Sequence, residues 1–308
     1  MPGTARVMLP LALSRRLDTA ASALLRSESH AIDFAQPAGE PALVAADSVS
    51  WRIFKNPITM FIGGVAAVIL ELAEPSVRSG VWEHSGFRGD PVRRLRRTGL
   101  AAMVTVYGAR SVAQTMIAGV RRMHARVHGE TASGVRYRAA DADLLTWVQA
   151  TASFGFAEAW SRYVQPLSKD ELDRYYAEGD AAARLYGAVD APMSDAERAA
   201  LFDAMHGRLE ASPILFEFLE IMGRAPIFPA PFRPAQRLLV RAAVDITPRR
   251  VRDLLGLDRD QGLVPWQAPL VRRAAQFSER MMLASSPAVQ SCLRLGLPAD
   301  FLYRRGAA

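Results

Sequence analysis

Residues Ile58 to Ala73 form the longest apolar run in the chain, broken by one carboxylate, Glu71, and carrying Gly63-Gly64 near its middle. Asn56-Pro57 stands just before it, an N-cap residue followed by proline at the first helical position, where the missing N–H costs nothing. The run therefore predicts a helix over 57–74 that falls short of the roughly 20 apolar residues needed to cross a bilayer. A central core helix with other helices around it is the expected consequence. Two adjacent mid-helix glycines each cost about 1 kcal/mol relative to alanine, so they need a reason. Close approach of a neighbouring helix is one and close approach of a flat cofactor is the other, and both rest on the absent side chain.

The same punctuation recurs along the chain. Asp47 or Ser48 can cap a short helix through Phe54, and Asp90-Pro91 opens a helix that Gly108 closes. Ser111 can cap a further helix to about Val127, and residues 130–134 form a polar loop leading to Tyr137 in a short extended piece. Asp141 or Asp143 opens a helix over 144–164 that Pro166 closes. Ser168 with Glu171 and Ser194 with Glu197 have capping-box spacing and predict helices over 171–186 and 196–209. Prolines divide the last third into short helices, with 268–284 the last long one. No run alternates at period two for long enough to make a convincing strand. The expected fold class is all-α, one large helical domain over 46–308 behind an Ala-, Ser- and Pro-rich lead-in over 1–45 with a helix at 14–26.

The formal charge of +7 is carried almost entirely by arginine, since lysine occurs only at Lys55 and Lys169. Acidic residues are interleaved nearly everywhere, and there is no basic tail, zinc-finger spacing or aromatic RNA-binding motif, so no nucleic-acid partner is expected. The single cysteine, Cys292, rules out an internal disulfide and a cysteine metal cluster and fits a reducing compartment. Met1–Leu13 lacks the order of a signal peptide. A cytoplasmic protein, free or peripheral to a membrane, is expected, and Met281-Met282, Phe301 and Tyr303 are candidates for a homo-oligomer interface.

The residues able to carry chemistry gather between Gly80 and Gly129, which hold three of the five histidines and a knot of arginines. On the 91–107 helix Arg94, Arg97 and Thr98 stand at i, i+3 and i+4, on one face. Cations at a helix N-terminus oppose the macrodipole, so either that turn is solvated and paired with carboxylates elsewhere, or a strong anion lies nearby. His124 and His128, at i and i+4, would share a side of the next helix. Zinc hydrolases of that spacing need a glutamate beside the first histidine, and here it is Ala125. A single axial imidazole needs only one neutral nitrogen; His124, on the Met116–Val120–Val127 side, is the more buried candidate, and a satisfied core histidine is the alternative. His84, between Glu83 and Ser85, could hydrogen-bond from a second layer. Glu71 and Glu74 are candidate buried carboxylates. Trp147, Phe154, Phe156 and Trp160 are core or pocket wall.

Several segments together, from about 56 to 187, resemble the MpaB-type oxygenases, a group that includes the latex-clearing (rubber) oxygenases. They are residues 74–85 (EPSVRSGVWEHS), 90–98 (DPVRRLRRT), 120–129 (VRRMHARVHG), 137–139 (YRA), 144–151 (LLTWVQAT) and 175–178 (YYAE). The resemblance implies an all-α fold enclosing b-type haem, with O₂-dependent chemistry on isoprenoid or other apolar, lipid-like substrates, including oxidative C=C cleavage. It implies His124 as the iron ligand, Arg94 and Thr98 on the haem edge or bound oxygen, and Arg97 guarding the distal side. Arg97 and Thr98 are then the expected catalytic residues, and Arg94, Arg97, Thr98, His124 and, from its own neighbours, His84 the cofactor-binding ones. The family's lysine is replaced here by Arg97, which a distal-ligand role does not suit. Glu74-Pro75 and Gln149 replace histidine-containing segments of many relatives. A haem- or lipid-binding helical protein without turnover is the alternative from a different class.

Overall fold

The computed structural model describes residues 32–228, 233–258 and 260–304; the helix expected at 14–26 lies outside them. The elements are α1 (Val49–Phe54), α2 (Pro57–Ala73), α3 (Pro75–His84), α4 (Pro91–Tyr107), α5 (Arg110–His124), the strands β1 (His128–Glu130) and β2 (Arg136–Arg138), α6 (Ala142–Tyr163), α7 (Lys169–Glu178), α8 (Asp180–Tyr186), α9 (Asp195–Met205), α10 (Pro213–Arg224), α11 (Arg233–Ile246), α12 (Arg249–Leu255), α13 (Ala268–Glu279) and α14 (Pro287–Arg294). The fold is largely all-α, with one short antiparallel hairpin in which Gly129 faces Tyr137.

The expected helix starts are built as their chemistry requires. Asn56 accepts from Ile58 N and Thr59 N, Ser48 from Trp51 N and Asp90 from Arg93 N. At Ser168 and Glu171 both halves of the capping box are made. At Ser194 only one is, because the Glu197 carboxylate turns to Met193 N instead. Other expectations are corrected. The helix containing His124 starts at Arg110, and Ser111 N is taken by Glu40 Oε1. The 171–186 stretch breaks into α7 and α8 at Gly179, and the last long helix stops at Glu279. α3 was not foreseen: its N-cap is Glu74, whose carboxylate accepts from Val77 N at 2.7 Å.

The central helix α2 packs most extensively on α6. Its residues Ile62, Val65, Ile69 and Leu70 join Trp147, Phe218, Leu239 and Val271 in one core. A second core gathers α1, the end of α4, Trp160, Tyr175 and α14. The fully buried Arg294 fastens residues 32–45 there, donating to Phe34 O, Glu40 O and Tyr107 O at 2.7–2.9 Å. No described helix is long and apolar enough to cross a membrane, and α2 with α3, which together would be, are bent by 112°.

Of the two glycines in α2, Gly63 serves the helix crossing. A Cβ there would lie 2.6 Å from Gly155 O, and one on Gly155 would lie 2.3 Å from Gly63 O. Gly64 is different: its Cβ would meet only Phe156 Cε1, at an ordinary 3.8 Å. The expected aromatic stretch divides in the same way. Trp147 and Phe154 pack on Phe202, Trp160 is buried, and Phe156 is left half-buried beside Gly64. Tyr303 and Phe301 join the second core, with the Lys55 ammonium 4.5 Å from the Tyr303 ring.

Candidate functional site

α4 and α5 pair as a helical hairpin whose buried residues are few: Val104, Val106 and Tyr107 at the end of α4, Ala113 and Ile117 in α5. The other end, with the start of α4 and the end of α5, is only half-buried although Leu95, Leu100, Met103, Met116 and Val120 lie there or lead to it. α2 shows a matching stripe: Met60, Gly64, Val68 and Glu71, at helical spacing, are all half-buried. Val148, Ala152 and Phe156 repeat the pattern on α6. We read these half-buried faces as the walls of an apolar cleft, whose charged end holds Glu71, Arg94 and His124.

Arg94 bridges that end electrostatically. Its charge acts on Glu71 of α2 and on His124 of α5. Burial, opposed by Glu71 and assisted by Arg97, lowers the Arg94 pKa, and a guanidinium still stays charged. Thr98 holds it in place: its hydroxyl accepts from the Arg94 side chain and donates to Arg94 O at 3.0 Å. Both hydrogen-bonding directions of Thr98 are thus used on its own helix, which makes it a positioning residue for Arg94. Arg97 is more exposed, and its Nη2 rests 3.6 Å from Met123 Sδ, a weak acceptor that joins α4 to α5.

His124 ends α5. Burial, and then the Arg94 charge, lower its pKa, so the imidazole is neutral at neutral pH with a lone pair free. Its Nδ1 is buried and has no hydrogen-bond partner. Such a group costs about 1–3 kcal/mol unless something meets it. His128 does not share its face. The last turn tightens through Arg126 N to Met123 O and Val127 N to His124 O, and His128 enters β1, exposed. The ring of Tyr137 sits against both Gly80 and Gly129, where Cβ atoms would lie 3.4 and 3.1 Å from it. His84 ends α3 in an exposed position, with no contact joining it to Arg94 or His124 among the described residues.

The two candidate carboxylates part. Glu74 is structural: besides capping α3 it pairs with Arg208 at 3.0 Å. Glu71 lines the cleft, and burial, only partly offset by Arg94, raises its pKa to about 7. The folded chain therefore holds this proton more tightly than the unfolded one. Stability is full below the ordinary value of 4.5 and declines as pH rises towards about 7. Glu71→Gln is expected to flatten that slope and to gain on the order of 2 kcal/mol at pH ~8, read from urea midpoints across the window. A slope unchanged by the substitution would remove Glu71 as its source. Glu71 is odd in the sequence, but its place in the site depends on Arg94, which comes from a later helix.

Among the described residues no three His, Cys, Asp or Glu side chains come together as a metal site, so His124 could supply one ligand of a metal but not a set. The arrangement offers a neutral imidazole, a buried cation and a carboxyl that titrates near neutrality, all at one end of an apolar cleft. No curated protein and no solved structure matches the chain. The sequence model described as "ER-bound oxygenase mpaB/B'/Rubber oxygenase, catalytic domain" matches residues 51–279, from α1 to the last residue of α13. The chain belongs to the mpaB/rubber oxygenase family, as an oxygenase catalytic domain.

Proposed function

We propose that the cleft between α2, α6 and the α4–α5 hairpin binds haem b, and that the protein uses it with O₂ to oxidise an apolar, isoprenoid- or lipid-like molecule, by cleavage of a C=C bond. The observation that carries the reading is the buried, partnerless Nδ1 of a neutral His124 close to the Arg94 charge. Bound haem would supply an iron centre able to bind and activate O₂. The residues present fit such a group. His124 would hold the iron, with its lone pair kept free by the depressed pKa. One side-chain ligand is enough when a macrocycle supplies the rest.

Arg94 and Arg97 would take the propionates by charge-assisted hydrogen bonds, which answers the unfavourable placement of cations in the first turns of α4. Thr98 keeps Arg94 oriented. Gly64 leaves the α2 wall without a side chain beside Phe156, and the half-buried Val68 and Val148 would give the cleft an apolar lining. Glu71, titrating near neutrality, can hold or release a proton at the charged end of the cleft. Arg97 cannot ligate iron as a lysine would, so it is assigned to charge compensation. His84, exposed on α3, has no part in this reading.

The test is an absorption spectrum with a pyridine haemochrome assay on protein expressed with haem supply, followed by aerobic incubation with apolar alkenes and product mass spectrometry. Stoichiometric haem and O₂-dependent cleavage products are expected. Protein without a Soret band would overturn the haem assignment. Haem without products over a broad alkene panel would instead favour a haem-binding protein without turnover.

A further inference from the structure

α13 buries Val271, Ala275 and Ser278 against the core. Its opposite face, with the turn before it, carries large apolar side chains in a row. Trp266 is 67% exposed, Leu270 44% and Phe277 41%. They stand at i, i+4 and i+11, so they form one stripe along the helix. Single exposed apolar residues are ordinary on a protein surface, but an aligned tryptophan, leucine and phenylalanine are not explained by packing among the described residues. Arg273 lies inside the stripe and Arg272 beside it; both are exposed, and neither makes an ion pair among the described residues. The one carboxylate of α13, Glu279, is turned inward to Lys55 and Asn56. The outer face therefore combines apolar bulk with unopposed positive charge.

From this face we infer a docking site for the surface of an anionic phospholipid bilayer. Trp266, Leu270 and Phe277 enter the headgroup–acyl boundary while Arg272 and Arg273 reach the phosphates, the division of labour of an interfacial amphipathic helix. Charge selects this occupant over a second copy of the chain. A two-fold pairing of identical stripes would set Arg273 against its own counterpart, whereas anionic lipid neutralises both arginines. The net charge of +7 acts in the same direction. The inference stands on α13 alone and does not depend on what the cleft binds.

The experiment is flotation of the full chain with phosphatidylcholine vesicles and with vesicles in which about a third of the lipid is phosphatidylglycerol. Binding is expected to the anionic vesicles, weakening with added salt. Neutralising both arginines (R272Q with R273Q) is expected to weaken it by about 25-fold, some fivefold for each charge. W266S with F277S is expected to weaken it at least tenfold while leaving the far-UV circular dichroism unchanged, since both side chains face outward. No preference for anionic vesicles would overturn the inference, as would full binding by the W266S/F277S variant. Light scattering that shows a dimer abolished by W266S/F277S, without vesicle binding, would assign the face to a second copy instead.

Discussion

Replacing His124 with alanine is expected to abolish stable haem binding, cutting haem content to less than about a tenth of that of the parent protein, by loss of the residue that would hold the iron. Fold should survive, because His124 is the last residue of α5 and only half-buried. The informative part is the sign of the stability change in the two forms. Without cofactor, His124 buries an imidazole nitrogen that nothing meets, a penalty of about 1–3 kcal/mol. Alanine removes that penalty, so the cofactor-free variant should unfold no earlier than the cofactor-free parent. With haem supplied, only the parent gains stability by mass action. Thermal unfolding with and without haem, beside the haemochrome assay, reads both. A His124→Ala protein with full haem content would disprove the ligand assignment. One that unfolds much earlier in both forms would make His124 a core residue and nothing more.

Local chemistry explains which parts of this architecture could be read from the sequence. Asn56-Pro57, Asp90-Pro91 and Ser168–Glu171 are helix starts whose donors and acceptors lie within four residues, and each forms as expected. The placement of Arg94 and Thr98 on one face of α4 was legible for the same reason, since helical spacing alone decides it. α3 was missed because its cap is a glutamate, a less common N-cap than Ser, Thr, Asp or Asn. Helical periodicity continues past His124 in the sequence, but the pairing of β1 with β2 and the bond from Ala139 N to Val127 O draw the chain out of the helix. That is a contact across more than ten residues, and it removes His128 from the face of His124. Glu71 is the clearest case at the site. Its oddity inside an apolar run was visible, whereas its raised pKa depends on the burial that the assembled helices impose, which outweighs the opposing charge of Arg94.

The paired glycines of α2 allow the sharpest separation of fold from site. Gly63→Ala is expected to destabilise the protein by about 3 kcal/mol, even though alanine is the better helix former by about 1 kcal/mol. The new Cβ would sit 2.6 Å from Gly155 O and 2.8 Å from Phe156 Cα, both backbone atoms that no rotamer change can move. α2 and α6 would have to separate where their packing is most extensive, loosening Ile62 and Ala66 from the core. Gly64→Ala meets no such obstacle, since its Cβ lies 3.8 Å from the edge of Phe156. It should therefore stabilise the cofactor-free protein by up to about 1 kcal/mol through helix propensity. Urea unfolding of the two variants beside the parent decides this, and equal midpoints for all three would mean that the α2–α6 crossing is not as close as described. Haem titration then adds the second half. If Gly64 is kept small for a flat cofactor, Gly64→Ala gains stability and loses haem affinity at once, because the same methyl group that favours the helix occupies the cleft wall.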